Sequence, residues 1–329
     1  MLNIGILGCG RIGQVHALTI SRLNAVRVVA VADPVPEAAQ ALATRMGAQV
    51  MDAQELIDNP SVDAIIIATP TDSHCDLIHA AAHAGKAIFC EKPVDLSADR
   101  IRDCIKAVEA AGVPFMTAFN RRFDPNFANL QTRLRAGEIG QVELVSITSR
   151  DPAPPPISYI ERSGGIFRDM MIHDFDMARF LLGEDPIQVF AVGSTLTDPA
   201  IAAAGDVDTA AVTLTTASGA ICQITNSRRA TYGYDQRIEV HGSTGMLQAG
   251  NVRENTVEVA NSTGFRSAPT QHFFLERYQA AYHAEVTLFA QYIAAGMPMT
   301  PGIHDGLAAQ ILADAAAESF ATGKPITVQ

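Results

Sequence analysis

Short apolar runs alternate with longer amphipathic stretches through the first third of the chain. NIGILG, VRVVAVA, DAIIIATP, AIFC and PFMTAF read as strands. Between them, residues 11–24, 37–46 and 73–84 read as helices, as does the stretch that Ser97 caps and that runs to about residue 111. This βαβα rhythm predicts a doubly wound parallel sheet with helices on both faces. The rhythm changes after Phe119. Residues 120–140 read as a loop and a helix, QVELVSITSRD as a longer strand, and residues 208–216, 220–227 and 237–241 as strands separated by the turn signals ASG and GSTG. Helical patterns over 276–295 and 304–322 close the chain. The expected fold class is α/β. An N-terminal Rossmann domain over 1–119 is followed, over 120–329, by a C-terminal α+β domain with a predominantly antiparallel open sheet.

Within the second part, SGGIFRDMMIHDFDMARFLLGE (163–184) carries apolar residues at helical spacing and reads as one helix. Asp169, His173 and Asp176 then stand at i, i+4 and i+7, on one face. Such a stripe is either the solvated side of an amphipathic helix or a catalytic face on which a carboxylate holds a proton-transferring imidazole. The helix alone leaves both readings open.

Composition narrows the classes. A chain of 329 residues suits two domains, and 48% hydrophobic with 18% charged residues describes a globular protein with ample core. A formal net charge of −11 argues against nucleic acid and leaves no polybasic patch for a membrane surface. No signal peptide is visible, and the apolar runs are too short to span a bilayer. Cys9, Cys75, Cys90, Cys104 and Cys222 lack C-x-x-C pairing and read as reduced thiols in a cytoplasmic protein. His173-Asp174 lacks companion ligands at metal-binding spacing, so no metal is expected.

GILGCGRIGQVH supplies a G-x-G-x-x-G through Gly8, Gly10 and Gly13, with Arg11 and Ile12 between the last two. It follows a strand and opens a helix, so the glycines permit a tight turn, approach of a pyrophosphate and close helix–strand packing. Asp33 ends the second strand at the position expected of an acid that binds ribose hydroxyls. A 2′-phosphate there would meet like charge at a cost of a few kcal/mol (roughly 4 Å, effective dielectric near 20), which favours NAD over NADP. Thr69, Pro70 and His74 of ATPTDSH, and Glu91 and Lys92 of CEKPVD, follow two further strands of the same sheet, where open α/β sheets bind ligands. They are the remaining cofactor candidates.

Taken together and in this order, G-x-G-x-x-G, ATPTDSH, EKP and the GG…D…HD.D segment resemble the Gfo/Idh/MocA oxidoreductase family along essentially the whole chain. FNRRFDPNF, SITSRDPAPPPISYIERSGGIFRDMMIHDFDMARFLLGE and YGYDQRIEVHGSTG are most similar to the inositol 2-dehydrogenases within it. The resemblance implies that Lys92 contacts substrate and nicotinamide, across a cis Lys92-Pro93 bond, and that Asp169 and His173 complete a catalytic triad. It also implies a substrate face of Asn120, Arg121, Asp151 and Tyr234, and a homo-oligomer, a dimer or tetramer. The implied activity is NAD-dependent oxidation of an inositol hydroxyl to an inosose, in inositol catabolism. His173 is suited to the hydroxyl proton, Asp169 to orienting the imidazole, and Lys92 to stabilising developing alkoxide charge. A dehydrogenase of a related polyol or pyranose, and a non-catalytic NAD sensor, are the alternatives. Asp176 has no assigned task.

Overall fold

LNIGIL forms β1 (Leu2–Leu7), and α1 (Arg11–Ile20) carries the chain into β2 (Val26–Ala32). The computed structural model describes residues 1–328. The same rhythm continues through α2 (Pro36–Met46), β3 (Gln49–Val50), α3 (Ala53–Asp58) and β4 (Ala64–Ile67). It then runs through α4 (His74–His83), β5 (Ala87–Cys90), α5 (Ala98–Ala111) and β6 (Phe115–Thr117). These strands make a parallel sheet in the order β3-β2-β1-β4-β5-β6. The direction of winding reverses between β1 and β4, which opens a crevice beyond their carboxyl ends. Ile65, Ile66 and Ile67 of β4 are fully buried, as a central strand covered on both faces requires.

After a short turn at Asn120–Phe123 come α6 (Pro125–Arg135), β7 (Val142–Arg150), α7 (Ile157–Ser163), α8 (Gly165–Asp169), α9 (Ile172–Leu182) and β8 (Pro186–Ser194). Then follow α10 (Pro199–Ala203), β9 (Thr209–Thr216), β10 (Ile221–Ser227), β11 (Asp235–Gly242) and β12 (Gly245–Ala249). A hairpin of β13 (Glu258–Asn261) and β14 (Gly264–Ser267) precedes α11 (Phe274–Arg277). The chain closes with α12 (Gln279–Ala295), α13 (Ile303–Thr322) and β15 (Ile326–Thr327). The second sheet has the order β12-β11-β7-β10-β9-β8-β15 and is antiparallel except for the β7–β10 pair. Its inner face buries Val145, Ile147, Val189, Ala191, Val212, Leu214, Cys222, Ile224, Ile238 and Val240, with α9 packed on β7 and β10. Among the described residues, no helix is long and apolar enough to cross a membrane.

The chain groups into two compact units that are not contiguous in sequence. Residues 1–123 join residues 279–310, and residues 124–278 join the chain from Ile311 onward. The sequence pattern divides the chain once, near Phe119. The structure instead returns α12 to the first sheet, where Val286, Phe289 and Ala290 enter the apolar layer of Ile4, Ile6, Val28, Ile66 and Phe89. Phe289 meets Phe89 edge-on at 5.5 Å. Hydrophobic periodicity identifies such a helix but does not say which sheet it covers.

The single helix expected over 163–184 is interrupted. Left-handed Gly164 (φ 85°) ends α7, and Met170 and Met171 turn the chain between α8 and α9, with both amides donating to Ile166 O. Asp169 and His173 therefore lie on different helices, and the i, i+4, i+7 stripe does not exist as one face.

Asp208 pins the loop after β8. Fully buried, it accepts from the amides of Leu196 (3.0 Å), Thr197 (2.7 Å) and Asp198 (3.4 Å) and from Thr209 Oγ1 (2.8 Å). Burial raises its carboxyl pKa, but the accepted bonds from Leu196, Thr197, Thr209 and Asp198 prevail, and the net direction is downward. A depressed carboxyl stabilises the fold above its unfolded pKa of about 3.9, and that contribution is lost as pH falls through the folded value. Asp208→Asn is expected to lower stability by about 1–3 kcal/mol at neutral pH, with the gap to wild type closing below about pH 4. Urea titrations across pH measure it, and a gap independent of pH would remove the role of the charge.

Candidate active site

The glycine turn is built by contact. Gly8 has φ +96°, a conformation open to glycine, and a Cβ there would lie 2.5 Å from Ala68 O. A Cβ on Gly13 would lie 1.9 Å from Gly8 O, so α1 presses directly on the turn. Gly10, the N-cap of α1, has no side-chain cap, and a Cβ there would meet nothing within 4 Å. The first amides of α1 thus face open space, the arrangement that receives an anion. Exposed Arg11 begins the helix, and half-buried Ile12 packs on the sheet's core. Asp33, just past β2, accepts from Cys9 N (2.7 Å, Oδ2) and Val35 N (2.8 Å, Oδ1), which fixes the carboxylate while leaving lone pairs for ribose hydroxyls. The Cys9 thiol is pushed up to about 11 by burial and by Asp33, so it stays protonated and adds no charge beside the turn. These residues fit a dinucleotide: the α1 amides for the pyrophosphate, Asp33 for the ribose.

Thr69 and Pro70 follow β4 across the crevice from this turn, and Glu91 and Lys92 follow β5. Two of the expected cofactor residues are buried and engaged by neighbouring groups. His74 is buried, with Nε2 2.9 Å from Thr69 O and Nδ1 2.9 Å from Pro93 O. Its pKa is lowered by burial against the opposing pull of these carbonyls. Each ring nitrogen lies against a backbone carbonyl, and the neutral imidazole donates to one of them, so His74 braces the loops after β4 and β5. Glu91 turns inward, with Oε1 2.7 Å from Nε2 of buried His16 and Oε2 accepting from Lys92 N at 3.3 Å. Lys92 is half-buried, and its bond to Pro93 is cis. His16 is absent from the sequence-derived set; its only signal is a polar residue on the buried side of α1.

Asn120 and Arg121 are buried in the turn after β6 (5% and 4% exposed), and neighbouring Arg122 pairs with Asp305 at 2.9 Å.

In the second unit, register places two expected substrate residues at one end of the sheet. Asp151 follows β7 and donates its amide to Ser227 O at the end of the parallel strand β10; Tyr234 immediately precedes β11, whose Asp235 pairs with Arg150. Arg228, next after β10 and 1% exposed, brings a further group there, its Nη2 3.3 Å from Asp206 and 3.9 Å from Asp169. Asp169, 9% exposed, also accepts from Tyr159 Oη at 2.8 Å. Tyr159 and Arg228 were not singled out in the sequence, where one is a surface-like aromatic and the other half of an Arg-Arg pair. His173 is half-buried near the start of α9, and Asp176, expected as structural, is buried at 1% exposure. Tyr234 sits in an aromatic cluster, with ring centroids 5.8 Å from Phe273 and 5.9 Å from Tyr278. Beside it, burial raises the Asp235 carboxyl, but bonds from Arg237, Tyr232 and Asn251 hold it below the usual range.

Comparison with known proteins agrees with both units. Residues 2–119 match the oxidoreductase family with an NAD-binding Rossmann fold, and residues 127–248 match the GFO/IDH/MocA C-terminal domain. The chain is 52% identical, over 327 residues covering 99% of each chain, to an inositol 2-dehydrogenase of Rhizobium meliloti. It is similar to the crystal structure of a putative myo-inositol dehydrogenase from Sinorhizobium meliloti (TM-score 0.98, 51% identity, 100% of each chain). It is also similar to a scyllo-inositol dehydrogenase from Lactobacillus casei with bound NAD(H) and scyllo-inositol (TM-score 0.93, 28% identity, 99% of each chain).

Loss of the Asp33 carboxylate is expected to weaken NAD binding by about 10–100-fold in Asp33→Ala, since a charge-assisted hydrogen bond contributes about 1.5–3 kcal/mol. NADP binding should weaken less. Titration of both cofactors measures this, and an unchanged preference places the discrimination elsewhere.

Proposed function

Because the chain belongs to the GFO/IDH/MocA family of NAD-binding oxidoreductases, we propose that it is an inositol 2-dehydrogenase that oxidises a secondary hydroxyl of myo-inositol to the 2-keto-inosose. The observation that carries this reading is the likeness to the Rhizobium meliloti inositol 2-dehydrogenase over 99% of the chain. The polar end of the second sheet supports it. Asp151, Asp169, Arg228 and Tyr234 offer carboxylate, guanidinium and phenol groups suited to a ligand with a hydroxyl on every ring carbon. Buried groups of this kind discriminate strongly against analogues that lack one hydroxyl, because their own hydrogen bonds go unmet. The likeness to the Lactobacillus casei protein makes scyllo-inositol the second candidate.

NAD supplies the hydride acceptor. The chain's own residues handle the proton and the oxygen. His173 takes the hydroxyl proton, a task for which imidazole is suited near neutral pH. Asp169, held by Tyr159 and Arg228, steadies the imidazolium that results. The Lys92 ammonium hydrogen-bonds the substrate oxygen as its negative charge grows, an interaction stronger in the transition state than in the ground state.

Phe190, Val192, Ile221 and Met246 lie exposed on the outer face of the second sheet, on β8, β10 and β12. A second copy of the chain is the occupant proposed for this face, giving a homo-oligomer, dimer or tetramer. Five free thiols suit a reducing cytoplasm.

With NAD present, myo-inositol or scyllo-inositol is expected to be turned over faster than any aldose in a panel of cyclitols and sugars; an aldose leading the panel overturns the substrate assignment. Lys92→Ala and His173→Ala should each lower kcat by about 10²–10⁴ with NAD affinity retained. Wild-type turnover in either variant removes that residue's role. Val192→Asp is expected to reduce the particle mass in sedimentation or light scattering, and an unchanged mass places the interface on another surface.

A further inference from the structure

Behind Lys92 lies a set of buried titratable groups that the proton chemistry above does not use. His16 is fully buried. Its Nε2 lies 2.7 Å from Glu91 Oε1, and its Nδ1 is buried with no hydrogen-bond partner among the described residues. Glu285 of α12 is also fully buried, and neither of its carboxyl oxygens has a hydrogen-bond partner among the described residues. Burial, reinforced by the negative charge of Glu91, pushes the Glu285 carboxyl well above the usual range. It therefore stands neutral, as an O–H donor with acceptor capacity to spare.

Aromatic contacts locate Glu285 relative to His16. Tyr282 meets the His16 ring edge-on at 5.8 Å, and Phe289 meets Phe89, which itself meets His16 at 5.1 Å. Tyr282, Glu285 and Phe289 are at i, i+3 and i+7 on α12 and share one helical face. Glu285 thus shares the helical face that Tyr282 sets against the imidazole and Phe289 sets against Phe89, and the charge of Glu91, the partner of His16, acts on its carboxyl. An imidazole donating from Nε2 to Glu91 leaves Nδ1 as an acceptor, and a carboxylic acid supplies the matching donor.

We propose that Glu285 is a positioning residue: its acid group donates through one buried water to His16 Nδ1, and so fixes the tautomer that donates from Nε2 to Glu91. Glu91 is joined to Lys92 by the chain and by the Lys92 N–H bond to its own carboxylate. Slack in this chain of contacts displaces the ammonium, and displacements near 1 Å cost about 10²-fold in rate. The inference rests on assigning Lys92 to the reacting oxygen.

Glu285→Leu and Glu285→Gln test it. Leu keeps apolar bulk without a donor, whereas Gln keeps a neutral donor and acceptor. In Glu285→Leu, kcat is expected to fall by about 10–100-fold with NAD affinity retained. Glu285→Gln should recover most of that loss. Nitrogen-15 spectra of histidine-labelled protein should show His16 as the Nε2–H tautomer in wild type and Glu285→Gln, and as a mixture in Glu285→Leu. Wild-type kcat in Glu285→Leu, or a protonated Nδ1 on His16 in wild type, overturns the proposal. Should Glu285→Leu fail to fold, the His16 spectra of the other two proteins decide it. If wild type oxidises no cyclitol, the function assigned above fails, while the spectra still decide the Glu285–His16 bond.

Discussion

The first unit depends on the contact between Gly13 and Gly8. With 1.9 Å between a hypothetical Gly13 Cβ and Gly8 O, no side chain fits, and α1 lies as close to β1 as backbone allows. That closeness does two things along the helix. At its start it aims the uncapped amides of α1 over the sheet's carboxyl edge. One and a half turns on, it delivers His16 to the side of Glu91. Asp33 closes the same turn from the other side through its bond to Cys9 N. Cofactor cradle and lysine loop are thus set by one steric constraint.

The second unit solves a different problem, the burial of charge. Arg228 is 1% exposed and lies between Asp206 and Asp169, so its guanidinium is compensated on two sides. A buried cation of this kind is tolerated only with partners, and removing one carboxylate strands the other groups. Asp206 also accepts from Ile166 N, which ties the start of α8 to the same cluster. Asp169 is consequently held from α7, α8 and the end of β10 together.

How much of this could be read from the chain differs by feature. β4 is apolar at every position and bounded by turn residues, so its place in a parallel sheet is legible. The glycine spacing and Asp33 are equally so, because each position has a backbone reason. β8 is not. Its outer residues Phe190 and Val192 are as apolar as its inner Val189 and Ala191, which erases the alternation that marks a half-buried strand. The break between α7 and α8 rests on left-handed Gly164 and Gly165, and that between α8 and α9 hides behind Met170 and Met171, two good helix formers. His16 and His74 show the limit for side chains. Sequence marks a histidine as chemically capable, but only the fold reveals that one braces two loops and the other backs a glutamate.

The net charge of −11 and the binding of an anionic pyrophosphate are compatible because the two act over different ranges. At physiological salt the screening length is about 8 Å, so acidic residues on remote surfaces contribute little at the glycine turn. Locally the field has a different composition. The α1 amides present positive dipole ends, Gly10 brings no side chain, and Cys9 remains a neutral thiol. The one fixed negative group is Asp33, set beyond the turn where hydroxyls rather than phosphate belong. The carboxylate that favours a plain ribose and the Cys9 burial that suppresses a thiolate therefore serve one end: negative charge is kept away from the position where the pyrophosphate must lie.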